Sequence, residues 1–238
     1  DGDYNTAVGY QALKTVESAD GEGANTAVGA TALELLSTGT GNVSMGYQAG
    51  RALTSGGSNT VLGTQALAVN TIGSYNVSIG SYALDATAAN PHLGTIAIGH
   101  NALTALTLGE KNTALGYQAG NVLTTGDENT IIGYDADVDD SGRHGCIVIG
   151  AGLSLNTADH NVVEIGNNTN SLTADLDSVS GTFAVTSDKR IKRNINDSNL
   201  GLNFINELRP VSFQMKSSSE YPKEFNIKKP ATEIHNKL

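Results

Sequence analysis

The chain has 238 residues with no Trp, four Phe, 28 Gly and a net charge of −10, a stock poorly suited to a wide globular core, which draws on large aromatic side chains. Charged residues make up only 16%, too few for a segment that stays disordered by self-solvation. One cysteine, Cys146, excludes an intrachain disulfide framework, and no run approaches the roughly 20 apolar residues of a membrane span.

The chain opens at Asp1 without Met or a signal peptide and reads as a fragment of something longer. Self-similarity then dominates. Asn5-Thr6-Ala7-Val8-Gly9 returns as Asn25-Thr26-Ala27-Val28-Gly29, Asn42-Val43-Ser44-Met45-Gly46, Asn59-Thr60-Val61-Leu62-Gly63 and Asn76-Val77-Ser78-Ile79-Gly80. Thr95-Ile96-Ala97-Ile98-Gly99, Asn112-Thr113-Ala114-Leu115-Gly116 and Asn129-Thr130-Ile131-Ile132-Gly133 follow, with weaker copies closing at Gly150 and Gly166. The closing glycines are spaced 20, 17, 17, 17, 19, 17, 17, 17 and 16 residues apart. Within a copy, a large apolar residue precedes Gly, Thr, Val or Ile stands two before it, and the residue between is often small or polar. That period of two predicts a short strand with one buried face, ended by Gly where the chain reverses or the backbone approaches closely.

A second half-repeat follows each glycine, as in Tyr10-Gln11-Ala12-Leu13 and Tyr117-Gln118-Ala119-Gly120, its small Ala suited to a crowded interior. Turn-rich links such as Thr38-Gly39-Thr40-Gly41 close the unit. A helical reading fails on the frequent glycine and β-branched residues and on the step of two. One coil buries little, but stacked coils share a thin continuous core, each adding a layer of roughly 4.8 Å. The fold class expected is therefore all-β, a β-roll or β-solenoid shaft of ~17-residue repeats over 1–170. Because so thin a core leaves an apolar strand face over, three chains side by side are expected to cover it.

Cys146 sits in the apolar run Cys146-Ile147-Val148-Ile149 and is expected to be a buried thiol rather than a nucleophile. Asp135, Asp137, Asp139 and Asp140 carry oxygen ligands of the kind Ca²⁺ takes, and equally make a solvated acidic turn. No metal or cofactor is assigned. Other acids, such as Asp20, Glu22, Asp127 and Glu128, are scattered over turns and do not form the paired carboxylates that glycoside cleavage needs.

The Asn-Thr-Ala-Val-Gly copies resemble the head repeats of YadA-like trimeric autotransporter adhesins, which are left-handed β-rolls; related repeats occur in fibres of bacteriophages and other viruses. The resemblance covers about residues 1–170, with a step of 17 that is longer than is common in the adhesins. It implies architecture and a homotrimer, and leaves the ligand open.

Past Asn167 the glycine step is lost. Residues 171–186 read as a connector, with Thr182-Phe183-Ala184-Val185-Thr186 as its strand. At 186 the charge changes sign: residues 1–186 hold four basic and eighteen acidic side chains, residues 187–238 ten and six. The acidic part is a poor nucleic-acid binder, and the basic tail has no aromatic stacking platform, so no nucleic-acid partner is expected. Asp197-Ser198 offers a helix N-cap ahead of Leu200, Leu202, Ile205 and Leu208. Pro210 ends that helix, Val211-Ser212-Phe213-Gln214-Met215 resumes a strand, and residues 217–238 read as a loop.

Ser187-Asp188, Arg190, Lys192, Asn194-Ile195 and Leu208-Arg209-Pro210-Val211-Ser212-Phe213 resemble the endosialidase-type intramolecular chaperone, a small α+β C-terminal domain of phage tailspikes and fibres. In that family the domain helps three chains trimerise in register and then cuts itself off just before the serine. The resemblance implies a partial chaperone and autoprotease over 187–238, a scissile bond between Thr186 and Ser187, Ser187 as nucleophile and Lys192 as base. The residues make the chemistry plausible, since a Ser-Lys pair supplies nucleophile and base without His or Asp. Lysine acts as a base only when neutral, which requires a pKa well below about 10.4; burial or the cations Lys189, Arg190 and Arg193 would lower it. On the residues alone, Ser187-Asp188 equally caps a turn and the basic run is equally a solvated surface. That family continues into a Gly-Phe-Ile-Ala-Gln-Glu-like segment and a long helix, whereas this chain stops at Ile234-His235-Asn236-Lys237-Leu238, so the module is expected to be truncated. His235 reads as an exposed loop residue, or as part of the complete site.

Three functions compete. A structural, host-facing homotrimeric fibre of a virus or bacteriophage, borne on the virion and meeting a host-surface receptor or glycan, accounts for both resemblances. A bacterial trimeric surface adhesin head without proteolytic activity uses the same roll. An enzyme on host polysaccharide lacks a carboxylate cluster. No membrane insertion is expected.

Overall fold

The computed structural model describes residues 4–16, 23–86, 92–138, 142–155, 159–176 and 183–185, all within the unit Asp1–Ser187. Among the described residues there is no helix, and every regular element is a strand. The helix expected after Ser198, the strand 211–215 and the loop beyond lie outside the described residues.

The strands are β1 (Thr6–Val8), β2 (Thr26–Val28), β3 (Val43–Met45), β4 (Thr60–Leu62), β5 (Val77–Ile79), β6 (Ile96–Ile98), β7 (Thr113–Leu115), β8 (Thr130–Ile132), β9 (Asp137–Val138), β10 (Ile147–Ile149), β11 (Ser154–Leu155), β12 (Val162–Gly166), β13 (Ser171–Asp175) and β14 (Phe183–Val185). Twelve form one sheet in the order β1-β2-β3-β4-β5-β6-β7-β8-β10-β12-β13-β14. From β1 to β12 all pairs are parallel and join equivalent positions of successive copies, Ala27 to Ser44 to Val61 to Ser78 for instance. Each repeat is therefore one coil of a β-solenoid, and the sequence step becomes a step along the stack. β9 and β11 form a short second parallel pair on the later coils. The parallel run ends at β12, which pairs antiparallel with β13, and β13 pairs antiparallel with β14. Two strands thus occupy the expected connector, and Phe183–Val185 coincides with the strand read there.

Within the three-residue strands β2 to β8 and β10 the middle residue points inward. Ala27, Ser44, Val61, Ser78, Ala97, Ala114, Ile131 and Val148 are all fully buried, while their neighbours on either side are half-buried or exposed. One face is buried within the chain, as the alternation predicts, but it is the face carrying the smaller side chains. Space decides this: the opposite wall stands a half-turn away and is lined by Ala32, Leu33, Ala49, Leu53, Ala66, Leu67, Ala83, Leu84, Ala102, Leu103, Ala119 and Leu123, all fully buried. A narrow tube with leucines on one wall has room for Ala, Ser or Val on the other. The two inward serines are satisfied locally, Ser44 Oγ donating to the Ala49 carbonyl and Ser78 Oγ to that of Ala83, both at 2.8 Å. The small Ala of the second half-repeat lies inside, as its size predicts.

The corner glycine meets two demands at once. Gly46 has φ of +136°, a region L side chains avoid, and a Cβ there would meet the Gly63 carbonyl oxygen at 2.5 Å. Two residues further on, at Gln48 (φ +59°), Gln65 (+54°) and Tyr82 (+59°), the chain turns through the left-handed region again. These non-glycine residues are held there by the coil-to-coil ladder, in which Gln48 N–H donates to the Ala30 carbonyl at 3.0 Å and Gln65 N–H to that of Tyr47 at 2.9 Å.

The asparagine opening each copy forms the second continuous structure inside the tube. Asn25, Asn42, Asn59, Asn76, Asn112 and Asn129 are at most 1% exposed. Each side-chain oxygen accepts from the next coil: Asn59 N–H and Asn59 Nδ2 donate to Asn42 Oδ1 at 3.0 and 2.9 Å, and Asn76 N–H and Nδ2 donate to Asn59 Oδ1 at 2.9 and 3.1 Å. The same amides donate to the carbonyl closing the link, Asn42 Nδ2 to Gly56 and Asn59 Nδ2 to Gly73, at 2.9 and 2.8 Å. A buried amide is tolerated only when so paired, and stacking at one position per coil supplies the partners.

Candidate functional site

Thr186, Ser187 and Lys192 lie outside the described residues, as does His235. The structure does place what leads to them: β14 ends at Val185 as the last strand in the order of the twelve-stranded sheet, one residue before the Thr186–Ser187 bond.

On the solenoid itself, the strand face presents two outward rows without charge. Its two outward rows run Thr6, Thr26, Val43, Thr60, Val77, Ile96, Thr113, Thr130, Ile147 and Val163, and Val8, Val28, Met45, Leu62, Ile79, Ile98, Leu115, Ile132, Ile149 and Ile165. Not one position carries a charge, although the chain as a whole has net charge −10. Met45 and Leu115 are each 45% exposed. A continuous apolar strip of this length is unusual on a protein that stays alone in water.

Beside this face, at the position after the corner glycine, runs an aromatic column. His100 stacks on Tyr117 and Tyr117 on Tyr134, each with centroids 5.3 Å apart and planes within 10°; Tyr82, two residues after its own corner glycine, meets His100 edge-on at 6.1 Å. The ring spacing is set by the coil step, and Tyr117 and Tyr134 remain 44% and 61% exposed. The stacking supports the corner from coil to coil.

Of the acidic turn, the described residues Asp135 and Asp137 differ in burial. Asp137 is 7% exposed, its Oδ2 accepting from Val122 N–H and its Oδ1 from Val138 N–H, both at 2.8 Å. Burial pushes its carboxyl up to about 6, against those hydrogen bonds and with a smaller contribution from the charge of Asp135. Asp135 is exposed, and Asp139 and Asp140 lie outside the described residues. Among the described residues no three His, Cys, Asp or Glu side chains come together as a metal site.

Asp127 and Glu128 border an open groove of about 420 Å³ with Leu108, Glu110, Lys111 and His144. Its carboxylates are occupied: Asp127 Oδ1 accepts from Glu110 N–H at 2.7 Å, and Glu128 pairs with Lys111 at 3.3 Å. His144 Nδ1 accepts from Asp127 N–H at 3.0 Å, and His160 Nδ1 from His144 N–H at 3.2 Å. His144 Nδ1 also lies 3.4 Å from Asp127 Oδ2. Cys146 is fully buried, as read, its Sγ 3.5 Å from the His144 carbonyl.

Sequence reasoning missed the role of the asparagines and the aromatic stacking. Both signals were present, since one residue type recurring at a fixed place in a coil must meet its own copy.

Residues 187–233 match a protein family described as chaperone of endosialidase. No curated protein and no solved structure matches the chain.

Proposed function

We propose that the chain is the shaft of a homotrimeric fibre of a virus or bacteriophage, presented to a host-surface receptor or glycan, with residues 187–238 acting as an intramolecular chaperone that brings three chains into register and is then released by self-cleavage. The observation that carries this reading is the family match over 187–233, which begins at Ser187, the residue the resemblance assigns as nucleophile. Thr186–Ser187 is the scissile bond; Ser187 Oγ attacks the Thr186 carbonyl as Lys192 accepts the serine proton, the C–N bond breaks as Lys192 returns that proton to the Ser187 amine, and water then hydrolyses the resulting Thr186 ester on Ser187 Oγ, freeing the Thr186 carboxylate and the serine hydroxyl. Residues 1–170 are the shaft, and 171–186 connect it to the chaperone.

The charge-free strand face supports the trimer. Two outward side chains from each parallel strand give about twenty positions per chain, the number contributed per side by a standard interface of roughly 20–30 residues. Its composition resembles the apolar centre of a permanent interface rather than a rim. Three chains also explain the use of a chaperone. Stacked coils of near-identical sequence can pair one coil out of step at little local cost, so register among three chains has to be imposed from an end.

Intact-mass measurement of the freshly expressed full-length protein tests the proposal. A product ending at Thr186 and a fragment starting at Ser187 are expected, with both absent in Ser187→Ala and strongly reduced in Lys192→Ala. An uncut chain within a folded trimer would exclude self-cleavage and leave the fibre reading standing.

A further inference from the structure

The uncharged surface of the solenoid does not stop at the strand. Past each corner glycine, Gln48 N–H donates to the Ala30 carbonyl, Gln65 N–H to that of Tyr47 and Gln118 N–H to that of His100, so the residue after the glycine keeps its place from coil to coil. From Tyr10 to Ala151 that column holds no Asp, Glu, Lys or Arg, and its tyrosines at 47, 117 and 134 are exposed. Ionised side chains begin only outside it. Lys111 pairs with Glu128 at 3.3 Å on the links entering the strands, and past the corner Lys14 and Arg51 stand 3.9 and 4.0 Å from Glu34. The bare strip is therefore three columns wide: the row of Thr, Val and Ile that opens each strand, the row of large aliphatics that closes it, and the aromatic column. An uncharged centre rich in Tyr and Met, rimmed by charge, is the layout of a protein–protein interface. The strip is also lopsided, with β-branched side chains along one edge and rings along the other.

We propose that the aromatic column of one chain lies against the β-branched row of a second copy, at the same coil level, in each contact of the trimer; this rests on the homotrimer proposed above. Three identical chains closing a ring meet through unlike patches, because a patch that meets its own copy produces a two-fold pair. With the coil stacks parallel, the rotation axis runs along them. Each chain then turns its strip toward the axis and touches its two neighbours by opposite edges, one aromatic and one β-branched. Rotation about that axis leaves height along the stack unchanged, so Tyr117 meets the neighbouring copy of β7 and Tyr134 that of β8. The exposed rings become the anchors of the contact, a role that tyrosine fills at the centre of interfaces.

A second copy is the occupant that fits the length of the strip. Its columns recur at every coil of the parallel run from β2 to β10. A partner with any other step meets one coil and misses the next, whereas a copy carries the same step over the same length. Side-chain sizes agree with the pairing. Tyr117 opposite Thr113 and Tyr134 opposite Thr130 set a ring against a short side chain, and Ala151 opposite Ile147 reverses the order. Summed bulk across the seam is thereby evened out, as close packing between chains requires.

Co-expression of two full-length single variants, Thr113→Cys and Tyr117→Cys, under different tags tests the pairing. The native thiol, Cys146, is fully buried, so each chain offers one reactive cysteine and no bridge forms within a chain. After treatment with a bifunctional thiol reagent of short span, covalent dimers carrying both tags are expected to far outnumber those carrying one. Thr130→Cys with Tyr134→Cys repeats the measurement one coil further on, and native mass spectra of each mixture establish that the variants still assemble. Trimers that give no mixed-tag link at either level would overturn the edge pairing and leave the trimer standing. Tyr117→Cys chains that link to one another as readily as to Thr113→Cys chains would overturn it as well, since like edges would then meet. An unsubstituted chain that is a monomer in native mass spectra would remove the trimer itself, and the pairing with it.

Discussion

Replacing Asn59 by alanine removes one rung of the internal amide ladder, and its cost can be worked from the contacts. The side chain makes four hydrogen bonds: Nδ2 to Asn42 Oδ1 and to the Gly73 carbonyl, and Oδ1 from Asn76 N–H and Asn76 Nδ2. Asn42 Oδ1 keeps the Asn59 N–H at 3.0 Å and stays satisfied. Asn76 N–H, one proton of Asn76 Nδ2 and the Gly73 carbonyl are left without this partner, deep in a site only 1% exposed. A buried polar group left unmade costs about 1–3 kcal/mol, so with three such groups Asn59→Ala is expected to destabilise by about 3–9 kcal/mol. Since each coil contacts only its neighbours, the loss should concentrate in β3, β4 and β5. Urea unfolding at fixed protein concentration measures the total, and hydrogen exchange measures its spread. A loss under about 1 kcal/mol would refute the ladder as a source of stability.

The natural break in that ladder gives the converse. Thr95 takes the asparagine place, its N–H donating to Asn76 Oδ1 at 2.9 Å while its Oγ1 has no partner among the described residues; Thr95→Asn should therefore add about 1–2 kcal/mol, read as a higher urea midpoint. For Asp137 the folded-state value near 6 stands above its 3.8 reference, so the folded protein binds more protons between roughly pH 4 and 6. Stability from this group then falls as pH rises through that window, by at most about 3 kcal/mol, and Asp137→Asn should flatten the difference between melting curves at pH 4.5 and pH 7. On the strand face, Leu115→Glu places a charge on a row that otherwise has none; it should lower the fraction of trimer seen in native mass spectra and the β signal in circular dichroism together.

Much of the solenoid was legible because the repeat is its own alignment. Ten glycines at a nearly constant step fix the coil, and the strand lies where period-two patterning puts it. Which strand face is buried was not legible from hydrophobicity, since Met45, Leu62 and Ile79 are larger than the Ser44, Val61 and Ser78 that occupy the interior. The width of the tube, set by leucines a half-turn away, makes that choice. The asparagines were visible as letters but not as a ladder, because their partners lie 17 residues off and exist only once coils stack. At the acidic turn the four aspartates look convergent in sequence, yet the β9 backbone turns Asp137 inward onto two amides. The Ser187–Lys192 pair drew its meaning from a longer motif, as two residues five apart define no geometry on their own.

Native mass spectrometry of the full-length protein bears most directly on the claim that a single coil stack is too thin to keep its strand face dry. Three chains per particle are predicted, with no folded single chain surviving dilution. A stable, fully folded monomer with Met45 and Leu115 open to solvent would contradict it.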